Sequence, residues 1–172
     1  MEFSLLGALV AGLVATLVMS PLMRMASAMG LTQMPPMPLV TGAMMSGDRR
    51  TAVSAGIAIH YVMMGTVVFG LIYAAIFAAV GSASVLSGLL VGLVHAVVVG
   101  AMAMPMMPAM HPRMDHQPAT VGAGVGQRDT GEVQLSSPGF FGVRWGAVTP
   151  MGLVIGHLVY GLVVALVYQW IV

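Results

Sequence analysis

Three histidines and an excess of methionine carry whatever chemistry this chain can do. His60, His95 and His157 each sit inside an apolar run long enough to cross a membrane. An unpartnered ionisable group in such a place costs several kcal/mol, so each is a candidate for function. Counting ~1.5 Å of helical rise per residue from the long-loop side, all three lie roughly 12 to 18 Å deep, in one layer. Imidazole suits copper, zinc or iron, thioether suits Cu(I), and two histidines from different helices can hold a haem b axially. Of the 18 methionines, eight fall between Met19 and Met45 and six between Met102 and Met114, so soft ligands gather toward one end of the helices. Met64 and Met102 are placed to complete a shell around the three histidines, with Met19, Met23 and Met63 at neighbouring heights. A secondary loop site would use His111, Asp115 and His116. The competing reading is structural: each histidine bonds a backbone carbonyl or Tyr61, Tyr73 or Tyr160 and ties two helices together, while methionine fills irregular helix ends.

The elements that position these residues follow from composition. Of 172 residues 59% are hydrophobic and only 6% charged, and the mean hydropathy is +0.98. A soluble domain has about a quarter of its residues charged, so an all-α membrane protein is expected, one domain over residues 1–172. Cysteine is absent, which removes disulfides, thiolate metal sites and cysteine nucleophiles. The six basic residues, all arginine, are too few and too scattered for nucleic acid. The five carboxylates all lie outside the apolar runs, and no nucleophile stands with a base, so an enzyme is not expected.

Four spans are predicted, at about residues 3–29, 51–80, 85–108 and 149–170, with long loops at 31–50 and 109–148. The first opens without a basic n-region or a small-residue cleavage site, and so reads as a retained helix rather than a signal peptide. Pro21 should kink it, and Pro105 and Pro108 should stop or bend the third. The short Gly81 to Ser84 turn makes spans two and three antiparallel neighbours. A short interfacial segment fits around Pro38 to Met45, and His111 to Pro138 reads as a mobile loop in which Gly122, Gly124 and Gly126 mean flexibility rather than a nucleotide loop. Phe140, Phe141 and Trp145 suit an interfacial aromatic belt, and Thr149 with Pro150 suits an N-cap and first helical position.

Small residues mark the packing faces. Ala8, Ala11, Gly12 and Ala15 make one stripe; Gly88, Gly92 and Ala96 share a face with His95, and Gly161 shares one with His157. GLVATLVMSPLMRM resembles GLVHAVVVGAMAM, and HYVMMGTVVFGLIYA resembles HLVYGLVVALVY, a pattern that two tandem helical hairpins within a four-helix bundle would give.

ATLVMSPLMRMASAMGL, HYVMMGTVVFGLIYA, the MPMMP end of the third run and FFGVRWGAVTPMGLVIGHLVYGLVVALVY together resemble an uncharacterised prokaryotic family of small four-helix integral membrane proteins, a domain of unknown function. The resemblance covers all four spans and rests on hydrophobic motifs. It implies the four-helix layout and a prokaryotic cytoplasmic (inner) membrane, and it brings no activity.

The function expected is that of a binding or scaffolding subunit packed against lipid and other membrane proteins or further copies of itself, with an intramembrane His/Met site for copper or haem b. The alternative is a transporter or channel for a metal ion, proton or small solute, which four short helices would form only as an oligomer. Arg24, Arg49 and Arg50 flank the first long loop, and Arg113, Arg128 and Arg144 lie in the second. By the positive-inside rule both loops face the cytoplasm and both termini face outward. Reporter fusions at the C-terminus and within residues 31–50 and 111–140 check this: activity of a cytoplasmic reporter at the C-terminus would overturn it.

Overall fold

In a computed structural model, residues 1–115, 125–127 and 131–172 are described. Among them, four helices are long and apolar enough to cross a membrane: α1 (Leu5–Ala28), α3 (Arg49–Val80), α4 (Val85–Met110) and α5 (Thr149–Ile171). A short helix, α2 (Met37–Gly42), lies in the first long connection. Val125–Gln127 (β1) and Val133–Leu135 (β2) pair antiparallel in the second. The long helices coincide closely with the four apolar runs. α1 is capped by Ser4, whose hydroxyl accepts from Gly7 N–H, and α3 by Asp48, which accepts from Thr51 N–H at 2.8 Å. That bond, with the Thr51 hydroxyl, holds the Asp48 carboxyl below its ordinary range. α3 ends on Gly81 with φ 75°, a left-handed cap that only glycine adopts without strain.

The helical assignment continues through the prolines. α1 runs through Pro21, with Ser20 Oγ donating to Thr16 O at 2.7 Å just before it. α4 passes Pro105 and Pro108 and reaches Met110, but it widens to π-helix over Val99–Ala103 immediately before Pro105. The wider turn accommodates the donor and the space that proline takes from a regular ladder. α3 is π-helical over Ile57–Val68, around His60.

Close backbone packing joins α1 to α3, α1 to α5, and α4 to α5. Small residues are the reason. A Cβ on Gly12 would stand 2.7 Å from Thr66 O, one on Gly92 2.5 Å from His157 O, and one on Gly88 2.6 Å from Gly161 O. Gly161 in turn lies on the backbone of Gly88 and Gly92. α3 and α4, though joined by the four-residue turn, are not neighbours of this kind. Phe69, Tyr73 and His95 stand between them, whereas the glycine faces of both helices are spent on other partners. A turn length fixes which ends meet, not which faces do.

The two long connections fold together at one end. α2 lies on the first turns of α3 through Gly42 and Gly56, each in contact with the facing backbone of Ala52 and Pro38. Leu39, Val40, Ala52, Met114, Leu135 and Trp145 form a buried cluster with Met104 and Leu153 of the long helices. Val133 N–H donates to Gly47 O, Leu135 N–H to Arg113 O, and Asp115 N–H to Leu135 O. Pro38, Leu39, Val40, Gly42 and Ala43 are thus buried in a folded cap, with Met44 and Met45 at its surface, and Arg113, Asp115, Val133 and Leu135 are tied to it. Gly122 and Gly124 lie outside the described residues. Trp145 is not part of a belt: it is fully buried, its indole N–H donating to Ser136 O at 3.1 Å. Phe141 packs on Gly100, leaving Phe140 as the exposed aromatic. Thr149 is the first residue of α5 rather than its cap. Its hydroxyl is engaged 2.6 Å from that of Thr32, which fastens α5 to the chain leaving α1.

Two consequences can be measured. Gly92→Leu should cost about 2 kcal/mol or more by forcing α4 and α5 apart, whereas Val97→Leu, on the exposed side of α4, should be tolerated; equal melting temperatures in detergent would contradict this packing. Trp145→Ala should cost about 3 to 5 kcal/mol and expose the cap to protease, and unchanged proteolysis would contradict a packed cap.

Candidate functional site

His95 and His157 meet. His95 comes from α4 one turn beyond Gly92, and His157 from α5 one turn before Gly161, so the glycine contact that brings these helices together also brings their imidazoles together. The ring centres are 4.4 Å apart at 80°. His157 is 7% exposed, and its Nδ1 donates to Leu153 O at 2.8 Å. The proton being there, the neutral ring has a lone pair on Nε2, and among the described residues no group bonds that atom. His95 Nδ1 lies 3.2 Å from the Tyr73 hydroxyl, and its Nε2 likewise has no bond among the described residues. Phe69 stacks on the His95 ring at 3.9 Å, and Tyr73 and Tyr160 close the pocket edge-on, 5.3 Å from each other. Tyr160 donates its hydroxyl to Gly65 O on the π-helical part of α3. The pair is therefore flanked by aromatic rings, with both Nδ1 atoms oriented by oxygen and both Nε2 atoms uncommitted among the described residues.

The other residues singled out from sequence are distributed differently. His60 makes its ring contact with Tyr61 at 5.8 Å, and among the described residues no group of three or more histidines or carboxylates is arranged to hold a metal ion. Met102 is 58% exposed, and Met64 is half-buried. Met19 and Met23 of α1 lie instead beside the pair's own helix: a Cβ on Gly156 would stand 3.1 Å from Met19 Cε and 3.4 Å from Met23 Sδ. Gly12, Gly88, Gly92 and Gly161 all lie at helix contacts.

The loop residues are engaged with the fold. His111 Nδ1 accepts from Arg113 N–H at 3.1 Å and its Nε2 donates to Val40 O at 2.9 Å, so both ring nitrogens are used. Asp115 accepts from the Gln134 amide at 2.6 Å. His116 lies outside the described residues. Sequence reasoning named Tyr73 and a backbone carbonyl as histidine partners; it did not find the stacking of Phe69, which an i, i+4 spacing to Tyr73 would have signalled once His95 was placed opposite.

His111→Phe should destabilise the cap by about 2 kcal/mol, because Val40 O and Arg113 N–H lose a buried partner. Thermal unfolding in detergent reads this, and a variant as stable as the parent would contradict the structural role.

No curated protein and no solved structure matches the chain. A family model does: it runs over residues 4–123, through α1, α3 and α4 into the connection that follows, and ends before α5. The chain belongs to DUF6789, a family of unknown function.

Proposed function

We propose that the chain is a multi-pass protein of a prokaryotic cytoplasmic membrane, a four-helix bundle that binds or scaffolds rather than catalyses, and that His95 and His157 are its ligand site for a small metal ion. The observation that carries this reading is the pairing of buried His157 with half-buried His95, whose Nδ1 atoms are held by Leu153 O and Tyr73 Oη while neither Nε2 bonds a group among the described residues. Metal-ligating histidines characteristically donate the other ring N–H to an oxygen, which fixes tautomer and orientation. With Tyr73 accepting the Nδ1 proton, His95 presents a lone pair as His157 does.

The separation favours an ion over haem. An ion about 2.0 to 2.1 Å from each Nε2 stands about 3.2 Å from each ring centre, and at a tetrahedral angle sets those centres about 5 Å apart. The observed 4.4 Å is close to that spacing. Axial haem ligands face each other through the iron at about 6.4 Å between centres, too far for this pair. Copper and zinc are the ions that imidazole suits. The helices' exposed sides are dominated by leucine, valine, isoleucine and methionine, which supports lipid or other membrane subunits as the surroundings.

Protein purified in mild detergent from its native membrane should carry copper or zinc by elemental analysis, and His95→Gln or His157→Gln should each lower it at least tenfold while His60→Gln retains it. Background metal in the parent would sink the reading and leave the histidines as helix ties.

A further inference from the structure

A groove of about 150 Å³ opens at the cap end between α1 and α5, lined by Leu22, Met23, Met34, Thr149, Met151 and Ile155 among others. Its threonines turn their hydroxyls to each other, Thr32 to Thr149, so the lining offers water no polar partner. What it has instead is three methionines in its lining, Met23, Met34 and Met151. Met23 belongs to two places at once: it lines the groove, and its sulfur lies against Gly156 beside Met19, one residue from His157. Thioether is a neutral, soft ligand that holds Cu(I) and leaves zinc and the hard cations unbound. A monovalent ion is also the one whose transfer into a low-dielectric layer costs least, since the penalty grows with the square of the charge.

Resting on the metal reading above, we propose that this groove is the entry subsite for Cu(I), held by Met23, Met34 and Met151 and passed by way of Met19 to His157 and His95. Each move exchanges one neutral ligand for another at the same oxidation state: a Cu–S bond forms as the previous one breaks, and finally Cu–N bonds replace Cu–S. No proton is released, because His157 already carries its proton on Nδ1, and no electron is transferred. Two imidazoles with a thioether make a resting site that Cu(I) accepts at low coordination number.

The test uses the full-length protein in detergent, anaerobic, with Cu(I) presented as its bicinchoninate complex and loading followed by loss of that complex's colour. The triple variant Met23→Leu, Met34→Leu, Met151→Leu keeps apolar volume and should load at least tenfold more slowly while reaching the same final copper per chain. Met44→Leu and Met45→Leu, exposed and outside the groove, should load at the parental rate, and zinc uptake should be equal in all. Equal Cu(I) rates in parent and triple variant would overturn the route and leave the histidine site standing. Failure of the parent to take up either ion would overturn the site itself. A triple variant that melts early is replaced by Met34→Leu alone, for which a parental rate would likewise overturn the proposal.

Discussion

Backbone-to-backbone contact between α5 and its neighbours is the constraint from which the rest follows. Close van der Waals approach of helix backbones requires residues without bulk at the contact. α5 has this on two sides: Gly161 and the backbone at His157 lie against Gly88 and Gly92 of α4, and the small-residue face of α1, with Ala8, Ala11 and Ala15 fully buried, packs with Tyr160, Val164 and Tyr168. The helix that carries His157 is thus gripped between two others. His95 is presented to it by the same contact, at a spacing set by backbone rather than by side-chain reach.

The cap sets the height of that helix. Thr149 bonds Thr32, Gln33 N–H donates to Trp145 O at 2.7 Å, and Trp145 is locked to Ser136. These contacts fix the first turn of α5, hence Leu153, hence the carbonyl that orients His157. At the opposite end Tyr168 accepts from Ser4 N–H and donates to Glu2 O, holding both termini together. Between these two clamps the π-helical stretch of α3 turns Gly65 O toward Tyr160; regular α-helix would keep that carbonyl within its own ladder.

Much of this was readable from residue types. Apolar length alone locates four helices, and helical spacing alone puts Gly88, Gly92 and His95 on one face. Neighbour relations were less accessible: α3 and α4 are adjacent in sequence but separated by rings, because a glycine face and an aromatic face look equally apolar in a window average. Trp145 reads as interfacial for the same reason, although it is buried in the cap. Amphipathic residues near helix ends serve a membrane boundary or a small folded cap equally well, and only the long-range bonds to Ser136, Arg113 and Gly47 distinguish them. Counting residues along each run puts the histidines at one height; that the rings of His95 and His157 meet depends on rotation about each helix axis, which the count does not specify.

The central claim is that two imidazoles converge on an ion, and its most direct test is X-ray absorption at the metal edge of the purified protein. The account predicts nitrogen scatterers at about 2.0 to 2.1 Å, accompanied by the outer-shell multiple scattering of imidazole rings and, for copper, by a sulfur shell. A spectrum of oxygen neighbours alone, with no imidazole pattern, would contradict it.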